Sequence, residues 1–217
     1  MCFSATASFI AGGSLTLLGA MTLKKATNKS ELPFAAIPLM FGVQQLIEGT
    51  LWLSIDYDVA MLKTIMTYMF ATFSHVIWPI YVPFAIALME QELKPWRREV
   101  MWGFRLTGIV VATFLLLLIV MQPLTAVVHE HIIYVSPFFY DWPMIVLYIA
   151  ATCIVAFFSS HILIRLFGLM TLLFFLVAYW FYTEAFFSVW CFFAAIISLI
   201  IYMHFRRAKS EREEVTG

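Results

Sequence analysis

Residues 101–122 read MWGFRLTGIVVATFLLLLIVMQ, with Arg105 the one charge among them. A helix needs about 20 consecutive apolar residues to cross the hydrocarbon of a bilayer. No water serves the backbone there, so such a stretch closes its own hydrogen bonds as a helix. The stretch is read as a membrane span, and the rest of the chain repeats the pattern. Spans are predicted at 3–23, 33–54, 62–89, 101–122, 142–160, 163–183 and 185–205, followed by a polar tail over 206–217. The expected fold class is all-α: a polytopic bundle of seven transmembrane helices. The last three spans are joined tightly, at Arg165 and at Thr183-Glu184, and merging two of them would leave six.

Composition agrees. Of 217 residues, 63% are hydrophobic and 12% charged, where a soluble domain carries about 25% charged residues. The mean hydropathy is +0.93. A formal net charge of zero provides no basic footprint for nucleic acid, which is excluded as a partner. The three cysteines, Cys2, Cys153 and Cys191, are odd in number and form no CxxC pair, so neither a disulfide framework nor a zinc ribbon is expected. Lys24, Lys25 and Lys29 follow the first apolar run instead of preceding it, so that run does not read as a cleaved signal peptide. There is no phosphate-binding P-loop and no G-x-S-x-G nucleophile turn. The seventh span has no lysine for a retinal Schiff base, and the histidines stand at too many levels for a zinc hydrolase of the seven-helix kind.

Charge placement gives an orientation. Lys24, Lys25, Lys29, Lys94, Arg97, Arg98, Arg165, Arg206, Arg207, Lys209 and Arg212 fall on one side of the predicted spans. The other side has Lys63 with Asp56, Asp58, Glu130 and Asp141. Basic loops face the cytoplasm. The N-terminus is therefore expected outside and the C-terminus inside, in the cytoplasmic membrane of a bacterium, with the lipid bilayer as the first partner.

Several spans carry polar groups that lipid does not tolerate. Asp, Lys or Arg at a span centre costs at least about 2.5–3.5 kcal/mol on insertion scales, so ionisable residues turn to the bundle interior and find a partner. In FGVQQLIEGTLW, Gln44, Glu48 and Trp52 share one face at steps of four, with Gln45 beside them. In TFSHVIW, His75 lies near the bilayer midplane, one or two turns deeper than Glu48 by residue count, and Pro79 and Pro83 follow it. Each proline removes a donor and bends the helix, which opens space beside His75. The seventh span has a stripe of Glu184, Ser188, Cys191, Ser198 and Tyr202. In the first span Ser8, Gly12, Thr16 and Gly19 form a small-residue face suited to close helix packing. His161 with Arg165, and His204, belong near the inner surface. Between the fourth and fifth spans, alternation over Val127, His129, His131, Ile133 and Val135 reads as a short strand or flap, and H-x-H on one strand points two imidazoles the same way.

The opening MCFSATASF puts Cys2 and Ser4 at the outer end, near the height of Glu48 and Glu184. Removal of Met1 would leave a thiol and an amine on adjacent atoms, a chelating pair for a borderline metal. The M-C-F-S-A opening and the Q-Q-x-x-E-G-x-x-W stretch resemble those of a family of bacterial multi-pass membrane proteins with no assigned activity. The resemblance implies no mechanism and directs attention to Cys2, Ser4, Gln44, Gln45, Glu48 and Trp52.

The expected function is binding of a metal or small ligand in the outer half of the bundle. Cys2, Glu48 and His75 would be metal ligands and catalytic groups, with Gln44, Gln45, Ser4, Trp52 and Glu184 around them. Sulfur, nitrogen and oxygen donors suit zinc or copper. Haem ranks lower, because one midplane histidine supplies one axial ligand. An open metal position would permit hydrolysis of an amphiphilic substrate. The alternatives are a proton-coupled transporter or channel relaying through Glu48 and His75, and a sensor or assembly factor acting through a lateral membrane partner or a second copy.

Overall fold

A computed structural model of the chain describes residues 4–90, 94–128, 131–135, 142–182 and 185–216. It is all-α apart from one hairpin. Helix α1 runs Ala5–Leu23, and the Ser4 hydroxyl caps it by accepting from Ala7 N at 3.2 Å. Pro33 opens the short α2 (Leu32–Ala35) and Pro38 opens α3 (Ile37–Asp56), each in the first turn, where a missing N–H costs nothing. α4 (Ala60–Ala71) passes through a π-helical turn, Thr72–Ile77, into α5 (Trp78–Met89). α6 spans Pro95–Met121. Strands β1 (Thr125–Val128) and β2 (Ile132–Val135) pair antiparallel with Thr125 opposite Val135. α7 (Trp142–Thr152) continues as a 3₁₀ segment, Ile154–Phe158. α8 (Ile162–Phe181), α9 (Phe186–Ile197) and α10 (Leu199–Thr216) complete the chain, and the polar stretch after Phe205 extends the last helix.

Six helical segments are long and apolar enough to cross a membrane: Ala5–Leu23, Leu32–Asp56, Ala60–Met89, Pro95–Met121, Ile162–Phe181 and Ser188–Ala208. The seventh, Trp142–Phe158, is apolar but shorter. The outer surface is what lipid requires. Leu17, Val120 and Trp180 are 69%, 74% and 81% exposed, a degree of apolar exposure that soluble monomers rarely gather into a continuous surface.

The passes alternate in direction. At one end, Glu90 after α5 meets Ser159 before α8, and Phe104 of α6 meets Phe158. At that end too Phe34 packs on Phe167, Lys25 lies over Tyr202, and the His161 and His204 rings touch. The described basic residues that sequence assigned to one side thus collect at one end of the bundle. The hairpin covers the other end: Tyr134 stacks on Phe70 at 4.6 Å and Leu124 N donates to the Tyr68 hydroxyl at 3.4 Å. The alternating run read as one strand is two. His131 precedes β2 with its ring against Tyr182, while His129 and Glu130 lie outside the described residues.

Small residues set the closest helix contacts. α1 and α3 pack through Ser8, Gly12 and Gly19, all buried. A Cβ on Gly19 would stand 2.4 Å from Leu39 N, so only glycine permits this approach. The α5–α6 contact follows from Pro83. That proline has no N–H for the carbonyl of Pro79, four residues back. The orphaned Pro79 oxygen instead faces Gly108 of α6, where a Cβ would stand 2.0 Å away.

Candidate functional site

α3 supplies the polar face. Gln44, Gln45 and Glu48 are completely buried, and Trp52 nearly so. Successive residues advance by 100° around a helix, so these four fall within about one quadrant centred near Glu48. α9 lies against that quadrant. The Ser188 hydroxyl donates to Glu48 Oε1, and Cys191 sits beside Gln44 within the field of Glu48. From α5, the Trp78 indole N–H donates to Gln44 Oε1 at 2.7 Å.

That last bond sets the register of α3 against the α4–α5 helix. One turn from Gln44 leads to Glu48, and one turn from Trp78 in the same direction leads to Ser74 and His75. Glu48 and His75 therefore each lie about one turn beyond the Gln44–Trp78 bond, on their own helices.

A π turn builds the histidine's surroundings. Trp78 N bonds Phe73 O, a step of five instead of four. In that register the next carbonyl, Ser74 O, would be served by Pro79, which has no N–H. The Tyr148 hydroxyl from α7 donates to Ser74 O in its place. A proline thus leaves an orphan acceptor in the membrane interior and a tyrosine on another helix satisfies it. Tyr148→Phe is expected to leave that carbonyl bare, costing about 1–3 kcal/mol. A melting temperature several degrees below wild type in detergent is the check.

His75 is buried, with Nδ1 2.6 Å from Ser74 Oγ and 3.2 Å from Ala71 O. A carbonyl only accepts, and Ser74 Oγ can direct its single proton to Phe70 O at 3.0 Å. We therefore assign the imidazole proton to Nδ1 and the lone pair to Nε2. Histidines that bind metals are commonly oriented in this way, by an N–H bond to a backbone carbonyl.

Three polar side chains here have atoms that no protein group serves among the described residues: both amide atoms of Gln45, Nε2 of Gln44 and Nε1 of Trp52. A cavity of about 30 Å³ lies beside Trp78 and Cys191, the neighbours of Gln44, and its lining is mostly apolar.

The structure therefore places Gln44, Gln45, Glu48 and Trp52 on one buried face of α3, with His75 buried on the neighbouring α4–α5 helix. Ser4 is occupied as the cap of α1, and Cys2 and Glu184 lie outside the described residues. Ser188, Cys191, Trp78 and Tyr148 join the site without having been singled out for it. Ser188 and Cys191 were visible only as members of the seventh-span stripe. Among the described residues no group of three or more His, Cys, Asp or Glu side chains converges as a metal site. His161 and His204 lie at the basic end, as expected, with rings 4.9 Å apart.

No curated protein and no solved structure matches the chain. One protein family matches it over residues 1–215. The resemblance carried by the M-C-F-S-A opening and the Q-Q-x-x-E-G-x-x-W stretch thus extends over nearly the whole sequence, and the chain belongs to the Family of unknown function (DUF6629).

Proposed function

We propose that this membrane protein binds a small polar ligand, with zinc or copper as the leading class, at a site centred on Glu48. The observation that carries the reading is Gln45. It is completely buried and neither of its amide atoms has a protein partner among the described residues. Each such group buried in an apolar span costs about 1–3 kcal/mol unless something pairs with it. Gln44 Nε2 and Trp52 Nε1 add to the same demand. A bound ligand, or the water around a bound ion, answers all of them together.

Metal is favoured by the donor chemistry. Glu48 offers an oxygen, His75 the Nε2 lone pair, and Cys2 a thiolate at the end of the chain leading into α1. Three protein ligands and one open position would let zinc bring a bound water to a pKa of about 7, which suits hydrolysis of an amphiphile. The basic end of the bundle faces the cytoplasm in this reading, and the Glu48 level lies in the outer half. Proton-coupled transport is less well supported. The cavity on the way from Gln44 toward the basic end is lined mainly by apolar side chains such as Phe41, Val82, Phe167 and Ala194, with hydroxyls from Tyr148, Thr152 and Thr171 but no carboxylate or imidazole.

The test is a titration. Chelator-stripped protein should gain at least 5 °C in melting temperature on addition of zinc or cuprous ion at micromolar excess. Glu48→Gln should gain none. Equal stabilisation of wild type and Glu48→Gln would remove Glu48 from the site.

A further inference from the structure

At the basic end, α6 carries a cation that meets no counter-ion among the described residues. Arg105 lies ten residues into α6, about 15 Å along its axis, and well inside its apolar run. Its guanidinium rests 4.9 Å from the Trp102 ring and 5.1 Å from the Phe84 ring. Its Nε is shielded from solvent and has no hydrogen-bond partner among the described residues. The described carboxylates at this end are engaged or turned away. Glu90 accepts from Ser159 Oγ at 2.5 Å and Ser160 N at 2.9 Å, and Glu31 accepts from Thr27 N at 2.8 Å. Glu99 stands six residues before Arg105, about 120° around the helix.

Arg98, Trp102 and Arg105 occupy one face, at i, i+4 and i+7. Trp102 is 54% exposed on the surface that lipid covers. A tryptophan with one wet and one apolar edge belongs at headgroup level. Arg105 reaches that level by extending from the membrane side, and Arg98 stands one turn nearer the water than Trp102 on the same face. Two arginines on one face, with an aromatic platform between them, suit the oxygens of a phosphate, which arginine binds with paired N–H donors.

We infer that the Arg98–Trp102–Arg105 face of α6 is a binding site for the phosphate of an anionic phospholipid. The charge argues for an anionic lipid over a zwitterionic one. Two cations on this face meet no carboxylate among the described residues, and a choline headgroup would bring a further cation to them. The acyl chains would lie along the exposed apolar face above, at Leu106 and Ile109. This site is at the opposite end from Glu48 and does not depend on the reading of that site.

The experiment is native mass spectrometry of delipidated protein titrated with phosphatidylglycerol or phosphatidylcholine. Wild type is expected to retain one phosphatidylglycerol at least fivefold more tightly than phosphatidylcholine. Arg105→Gln should lose that preference. Arg98→Gln alters an exposed residue and leaves the fold intact, so it reports even if Arg105→Gln fails to fold, and it should weaken phosphatidylglycerol at least threefold. Arg165→Gln, at the same end on α8, should behave as wild type. Equal binding of the two lipids by wild type would overturn the inference, as would undiminished phosphatidylglycerol binding by Arg98→Gln or an equal loss in Arg165→Gln.

Discussion

Gly108→Ala is expected to lower the melting temperature of the purified protein by roughly 5–10 °C, while Gly103→Ala on the same helix leaves it unchanged or slightly raised. The two substitutions add the same methyl to α6. At Gly108 the added carbon would stand 2.0 Å from the Pro79 carbonyl oxygen, and at Gly103 nothing lies within 4 Å. The neighbour at Gly108 is backbone, so no rotamer change relieves the clash. α5 and α6 must separate, and the loss extends to the π turn and Tyr148 beyond. Overpacking of this kind costs about 1–3 kcal/mol, and more where backbone has to move. In a chain of this size each kcal/mol is worth about 2–4 °C. Thermal unfolding in one detergent, with the three proteins side by side, checks it. An unchanged Gly108→Ala would mean that α5 and α6 do not meet at Pro79.

Glu48→Lys is expected to prevent recovery of folded protein, whereas Glu48→Gln should be recovered at near wild-type yield. The carboxyl is completely buried and receives the Ser188 hydroxyl. Glutamine keeps the shape and an acceptor for that hydroxyl. Lysine puts a cation beside the indole and amide N–H donors of Trp78, Gln44 and Gln45, with no described carboxylate in the same layer. An uncompensated buried charge typically costs about 3–5 kcal/mol, a large share of the roughly 5–15 kcal/mol by which proteins are stable. Size-exclusion profiles after membrane extraction separate the outcomes. Monodisperse Glu48→Lys at wild-type yield would argue that residue 48 reaches water.

Much of the fold was legible because long apolar runs have few alternatives in a membrane. The helices run past the predicted spans where a helix outlasts the hydrocarbon. α6 begins at Pro95, not near residue 101, since Trp96, Arg97 and Arg98 suit both a helix and a headgroup layer. The fifth segment is shorter than predicted and changes to 3₁₀ after Cys153, a change that an evenly apolar sequence does not announce.

The site was half legible. Gln44, Glu48 and Trp52 share a face by spacing alone, and the structure buries all three. Their partners on α9 could not be paired with them, because Ser188 stands 140 residues from Glu48 and spacing carries no information across helices. Pro79 and Pro83 announced a bend and freed carbonyls. They did not announce that the helix would widen by one residue over Thr72–Ile77. Nor did they name Tyr148 and Gly108 as the groups that meet those carbonyls.

Binding of a ligand by Glu48 and His75 is the property on which the proposed function stands. Elemental mass spectrometry of protein purified in mild detergent without chelator tests it most directly, on wild type, Cys2→Ser, Glu48→Gln and His75→Ala together. Close to one zinc or copper per wild-type chain is expected, with a loss of at least about 80% of it in each variant. Metal at the same stoichiometry in all four proteins, or in none, would contradict it.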